Sequence, residues 1–310
     1  GLRRRLVWLG LTEDPESLVM TFERPSCRRI ARWLGRALVG LGVAAGPLQA
    51  ADEVPFITTP DHVTLSMLEL AGVGASDHLI DLAPFVATPP SVVERMLEMA
   101  MVEKGDVVYD LGSGDGRIVI TAAKRFGASG LGVEIVPDLV ARSIVNARQA
   151  GVEQRTEFRV QDLFTTDLSA ATVITMYLLP EVNLALRPRL QQLAPGTRIV
   201  SHDWDLGDWL PDASRTLEVP DKPVGREKLS RLYLWVVPAQ VNGVWCGTGV
   251  QQRLQLTVRQ QHQRFDASLS RSGEAALNLL GRIDGTRLVA LQGGAAAASP
   301  WLWMAAGAEL

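Results

Sequence analysis

Val108-Tyr109-Asp110-Leu111-Gly112-Ser113-Gly114-Asp115-Gly116-Arg117 is the stretch whose reading decides the fold. The apolar run 107–111 ends in glycines at alternate positions, and a helical pattern then continues to Phe126. Glycines at a strand-to-helix junction let the chain turn sharply and let its backbone approach a bound molecule. The spacing Gly-x-Gly-x-Gly departs from the Gly-x-Gly-x-x-Gly of dinucleotide sites, where a helix N-terminus receives a pyrophosphate. Asp115 also sets a carboxylate inside the loop, which repels a diphosphate and attracts a cationic ligand.

Outward from this loop, short apolar runs alternate with helical patterns. Strands are expected at 107–111, 130–134, 157–160, 172–177, 198–202, 216–219 and 232–237, with helices ending at Phe126 and Ala150 and a third over 181–193. Short buried strands separated by helices imply an α/β fold built on a doubly wound, Rossmann-like sheet of seven strands. Such sheets bind ligands at the carboxyl ends of their strands. Beyond Pro238 the pattern changes to alternation, with Leu254, Leu256 and Val258, then Phe265, Ala267 and Leu269, and an Asp284-Gly285 turn before Leu288. Residues 239–310 therefore read as a small antiparallel β module.

Two acidic residues accompany the loop. Glu134 closes the second strand at the distance where a carboxylate accepts both ribose hydroxyls. Asp162, in Gln161-Asp162-Leu163-Phe164, lies just past the third strand and can accept a hydrogen bond from an adenine amine. At the same edge, Tyr177 and Glu181 follow the fourth strand, and His202, in His202-Asp203-Trp204, follows the fifth. A phenol, carboxylate or imidazole placed there can take a proton from an amine.

The run from Asp110 to Arg117, together with Gly132-Val133-Glu134 and Gln161-Asp162-Leu163-Phe164, resembles the motifs of class I S-adenosylmethionine (SAM) dependent methyltransferases. Phe85-Val86-Ala87-Thr88-Pro89 and Leu179-Pro180-Glu181-Val182-Asn183 are similar, more narrowly, to the seven-β-strand protein-lysine methyltransferases, in particular those of the ATP synthase c-subunit and their bacterial relatives. The resemblance covers residues 83–237. It implies that Asp110, Gly112, Gly114, Glu134 and Asp162 contact SAM, and the loop residues Ser113, Asp115 and Gly116 are candidates for the same site. It also implies that Tyr177, Pro180, Glu181 and Asn183 border the methyl-acceptor channel; His202, read from its place after the fifth strand, is a further candidate proton acceptor. The acceptor it suggests is a protein lysine or another nitrogen. Two other readings stay open, a small-molecule methyltransferase and a non-catalytic SAM-binding protein, because fold alone does not choose between them.

The charge balance is −3 over the chain and −7 over residues 51–310, which disfavours a nucleic-acid backbone as main partner. Cys27 and Cys246 stand far apart without metal-ligand spacing, so neither zinc nor a disulfide framework is expected. Residues 1–50 carry five arginines from Arg24 to Arg36, then the apolar run 37–48, then Leu48-Gln49-Ala50, the order of a secretory signal. The run is too short for a stable membrane span, so a leader cleaved before Ala51, from a start at Met20, and an exported enzyme are the expectation, with a cytoplasmic protein as the alternative. Residues 51–82 form a partial duplicate of the lead-in to the glycine loop. At an offset of 29, segments 54–82 and 83–111 share 13 identities, but only the second runs on into the glycines.

Overall fold

The computed structural model describes residues 5–9, 19–23, 85–222, 228–247, 252–271, 275–293 and 301–306. Two strands come first, β1 (Arg5–Leu9) and β2 (Val19–Glu23). Helix α1 (Pro90–Met99) starts on a proline, whose missing N–H is one the first turn leaves unpaired in any case. It buries Val92, Val93, Met96 and Leu97, the one-sided spacing of a helix laid on a sheet. Then follow β3 (Val107–Leu111) and α2 (Arg117–Thr121), which continues as a π-helical turn, Ala122–Phe126. Next come β4 (Ser129–Glu134), α3 (Pro137–Ala150), β5 (Thr156–Val160) and β6 (Val173–Met176). Helix α4 (Pro180–Leu190), β7 (Arg198–His202), β8 (Ala213–Glu218) and β9 (Leu229–Val236) complete the unit.

The seven strands stand in the order β5-β4-β3-β6-β7-β9-β8. Strands β5, β4, β3, β6 and β7 are parallel, and β9 runs antiparallel to both of its neighbours. The chain thus reaches β8 from β7 by crossing a face of the sheet from its carboxyl to its amino edge. A segment without a helix, 203–212, makes that crossing. One face is packed by α1 and α2 through Val93, Met96, Leu97, Val108, Val173 and Val200. The other is packed by α4 and the crossover through Leu186, Leu190, Leu206 and Trp209 against Ile174, Ile199 and Trp235.

After the sheet come β10 (Gly243–Gly247), β11 (Leu254–Gln261), β12 (Arg264–Arg271), β13 (Leu277–Asp284), β14 (Arg287–Gly293) and β15 (Trp301–Ala306). They form a closed antiparallel barrel in the order β1-β15-β14-β13-β12-β11-β10-β2. Its described core holds Trp245, Leu256, Val258, Phe265, Leu279, Ile283 and Leu288. Gly281 is required there, since a Cβ at that position would lie 2.3 Å from the Phe265 ring.

The doubly wound sheet and the antiparallel character of the C-terminal module agree with the sequence reading. Its boundary is corrected. The module is not confined to 239–310, because β1 and β2, inside the segment read as a leader, supply two of its eight strands. The basic and apolar stretch 24–50 and the first repeat copy, 54–82, lie outside the described residues. The second copy has its helix and strand where they are expected, as α1 and β3. Among the described residues no helix is long and apolar enough to cross a membrane, which says nothing of strands.

Candidate active site

The glycine loop is held open by its neighbours. The amides of Gly112 and Ser113 both donate to the Val133 carbonyl, at 2.9 and 3.0 Å, tying the end of β3 to the end of β4. Gly114 has φ +55, and a Cβ there would meet the Phe85 ring at 2.0 Å, so only glycine fits both the turn and the ring above it. Helix α3 supports the loop from below. Ser143 Oγ donates to the Gly114 carbonyl (3.0 Å) and Asn146 Nδ2 to the Asp115 carbonyl (2.9 Å). The Asp115 carboxylate is engaged by Arg117, at 2.8 Å to Nε and 2.6 Å to Nη2. Arg117 in turn donates to the Thr88 carbonyl at 2.8 Å, which fixes the Phe85–Pro89 lead-in over the loop. Gly116, φ +79, caps the start of α2. Ser113 is buried, with its hydroxyl oxygen unpartnered.

Glu134 serves the loop first. Its Oε2 accepts the Gly114 amide at 3.0 Å, and its Oε1 accepts those of Ile135 and Val136 at 2.8 and 3.1 Å. A carboxylate has about four acceptor positions, so a lone pair remains for a ribose hydroxyl. Asp110 lies beneath, almost wholly buried, with Thr175 Oγ1 donating to its Oδ1 at 2.7 Å. Burial, and then the charges of Glu134 and Asp115, push its carboxyl up to about 7 against the stabilising Thr175 bond. Three carboxylates around one loop make a place where added positive charge lowers the energy.

Around Glu134 and Asp162 three apolar side chains stand exposed, Ile135, Val160 and Phe164. Asp162 shapes its own turn, with Oδ1 accepting the Phe164 amide at 2.8 Å. Apolar walls flanked by carboxylates suit an adenosine, and the buried Asp110 with Glu134 beside the glycines suits a sulfonium and an ammonium. The residues present therefore fit SAM.

The acceptor side is built from the ends of β6 and β7. The Tyr177 ring lies against the His202 imidazole, with centroids 4.0 Å apart, and the Asp203 carboxylate stands close enough to act on its hydroxyl. Burial, then the Asp203 charge, raises the Tyr177 phenol far above its ordinary range. Asp203 has φ +65, Oδ1 accepts the Arg231 amide (3.0 Å), and Oδ2 accepts Lys222 Nζ (2.6 Å). Lys222 Nζ also donates to the Leu229 carbonyl at 2.5 Å.

His202 and Asn183, expected at the channel, are fully buried beneath this edge. The imidazole is fully buried, with Nδ1 3.3 Å from Thr88 Oγ1 and Nε2 2.9 Å from Ser230 Oγ, and burial lowers its pKa to about 4. It is a neutral strut between the lead-in and β9. The Asn183 amide is fully buried and donates to Ser201 Oγ, to the Trp204 carbonyl and to the Asp205 carbonyl, at 3.1, 3.2 and 3.3 Å, tying α4 to the crossover. Glu181 is solvent-exposed at the start of α4, and Tyr177 lines the edge as expected. Sequence reasoning missed Thr175, Ser143, Asn146 and Asp203. The sign for Ser143 was present, since it is a hydroxyl on the buried face of α3 between Val140 and Ala147. Among the described residues no group of histidines, cysteines or acids could hold a metal ion.

A family described as the ANTKMT methyltransferase domain matches residues 110–213. A protein-lysine N-methyltransferase of Saccharolobus islandicus (strain REY15A) is 43% identical over 186 residues, 59% of this chain and 94% of that protein. The lysine N-methyltransferase of the ATP synthase c-subunit from Xenopus laevis is 37% identical over 106 residues, 34% of this chain and 46% of that relative. Among solved structures, an RNA methyltransferase from Salinibacter ruber in complex with S-adenosyl-L-homocysteine is 53% identical, with a TM-score of 0.45, over 50% of this chain and 96% of that one.

Proposed function

The chain belongs to the SAM-dependent methyltransferase family that includes the Saccharolobus protein-lysine N-methyltransferase, and from that premise we propose that its methyl acceptor is the side-chain amine of a protein lysine. The observation that carries the proposal is the ammonium already held at the acceptor edge. Lys222 Nζ lies between the Asp203 carboxylate and the Leu229 carbonyl, so this edge has the acceptors that a primary amine needs.

When bound, SAM supplies a methyl group on a sulfonium. The protein's part is positioning, in a site whose donors and charges are set in advance. Glu134, Asp110 and the loop amides orient the donor. An acceptor lysine, with a free pKa of about 10.4, must shed a proton before its lone pair can form the new carbon–nitrogen bond. Asp203 supplies a carboxylate at this edge, engaged by Lys222 and the Arg231 amide. Tyr177, its phenol held protonated by burial and the Asp203 charge, walls the channel and is not itself the base. SAM held there by Glu134, Asp110 and the loop amides would supply the methyl group together with a neutral thioether leaving group.

The test uses SAM carrying a radiolabelled methyl group on host lysate separated into protein, RNA and small-molecule pools. Label should enter protein and return as methyl-lysine after hydrolysis. Label confined to RNA or small molecules would overturn the lysine reading, and Glu134→Ala or Gly114→Arg should abolish transfer to any pool.

A further inference from the structure

The 203–212 crossover runs from the acceptor edge to the barrel, and each end is held by a different part of the molecule. At the first end Asp203 accepts from Lys222 and the Arg231 amide beside the Tyr177 hydroxyl, and Asn183 holds the next two carbonyls. At the other end stands the tip of the β11–β12 hairpin. The His262 imidazole is stacked on Trp209, with centroids 6.1 Å apart and ring planes at 21°. His262 Nδ1 is 3.0 Å from Gln191 Nε2, and Nε2 is 3.6 Å from Asp208 Oδ2. Gln263 Nε2 donates to the Leu210 carbonyl at 2.5 Å, and Arg282 of β13 donates to Asp212 at 2.7 Å.

His262 adopts φ +51 in the two-residue turn between β11 and β12, the left-handed conformation that such hairpin turns use, so the hairpin presents its ring at a fixed place. The crossover has no helix of its own, so outside contacts set its shape. Between its ends Leu206 and Trp209 are fully buried in the sheet core, which makes the segment a packed strut that can pass a displacement along. We infer that His262 and Gln263 are positioning residues for the methyl-acceptor side. Through the crossover they fix where Asp203 stands against Tyr177. The inference rests on the methyltransferase reading above and adds to it a role for the barrel.

The experiment uses the full-length chain with His262→Ala and Gln263→Ala, singly and together. Arg264→Ala, exposed on the same hairpin, is the control, and His262→Gln the conservative variant. SAM affinity by calorimetry should stay within about twofold, because the cofactor side is untouched. Amide exchange at 203–205 should rise roughly tenfold or more in the double variant. The NMR signal of the hydroxyl-bearing ring carbon of Tyr177 should shift as the Asp203 carboxylate moves relative to it. Transfer of labelled methyl to lysate protein should fall roughly tenfold, with His262→Gln recovering most of it and Arg264→Ala unchanged.

Faster exchange confined to 208–212, with the Tyr177 signal and the 203–205 amides unmoved, would overturn the inference. So would a loss of SAM affinity as large as the loss of transfer, which would mark the joint as general scaffolding. If the unaltered protein binds no SAM, the methyltransferase reading fails, while the Tyr177 signal and the exchange pattern still decide the coupling.

Discussion

A carboxyl held up to about 7 inside a protein is costly to ionise, and Asp110 shows why the cofactor loop tolerates it. In the unfolded chain this group titrates near 3.8, so between that pH and about 7 the fold keeps a proton that the unfolded chain has released. Asp110 therefore contributes stability that is full below pH 3.8 and lost as pH rises through about 7. A cationic ligand reverses the balance by stabilising the carboxylate. SAM affinity should climb between pH 6 and pH 8 by up to about tenfold per unit while Asp110 is still protonated, and then level off. In Asp110→Asn calorimetry should show weak binding with that part of the pH dependence gone, and thermal melts of the SAM-free variant should lose the corresponding decline toward neutral pH. A binding curve of unchanged steepness in Asp110→Asn would place the titrating group elsewhere. Gly114 sets a different limit, of shape. With φ +55 and the Phe85 ring 2.0 Å from a built Cβ, Gly114→Ala must displace the ring or the turn, and SAM affinity should fall roughly tenfold or more, since misplaced contacts at the site are lost together.

Elements carry this site through their ends, and the crossover 203–212 is the one whose role depends most on side chains. Asn183→Ala removes the donors that hold the Trp204 and Asp205 carbonyls, and should destabilise the fold by about 1–3 kcal/mol in denaturant melts while leaving SAM affinity nearly intact. An equal loss of both would mean that α4 positions the donor as well. The sequence makes the neighbouring elements plain and this one obscure. In β3 and β6 the apolar runs match buried strands, and α1 repeats its apolar face at helical spacing. By contrast, β8 is exposed along nearly its whole length, so no burial pattern announced its start at Ala213. The crossover stands where a doubly wound fold leads one to expect a helix, and only the packing of Trp209 and Leu206 reveals what replaces it. Of the site, the glycines, Glu134 and Tyr177 were legible because their chemistry is local to a motif. Asn183 and His202 fell in the same motifs but turn inward, because burial is settled by the elements packed on them: the crossover over Asn183, and Thr88 with Ser230 around His202. Asp203 was visible as a letter, but its role depends on Lys222 and Arg231, far along the chain.

At the scale of the whole molecule the methyltransferase sheet is an insertion within a barrel, between β2 and β10, which pair through Glu23 with Cys246 and Phe22 with Gly247. Pairing between strands so distant in sequence leaves no local pattern, which is why the module read from the sequence lacked its first two strands. Closure removes the free edges that make an antiparallel sheet prone to pair with other chains. Deleting residues 1–23 should therefore expose β10 and β15 as edges and give a protein that associates with rising concentration, seen by light scattering, while SAM binding at the far edge of the inserted sheet persists. A variant that stays monomeric would show that β1 and β2 are not needed to cover those edges. Cleavage before Ala51 would remove both strands, so a cleaved leader and a closed barrel cannot coexist in one mature molecule. N-terminal sequencing of the protein from its native cell, beside the scattering of the truncated chain, decides between them. A mature end at Ala51 would mean that the exported form works with the barrel open, whereas an end upstream of Arg5 would put the closed barrel, and its hold on the crossover, in the working enzyme.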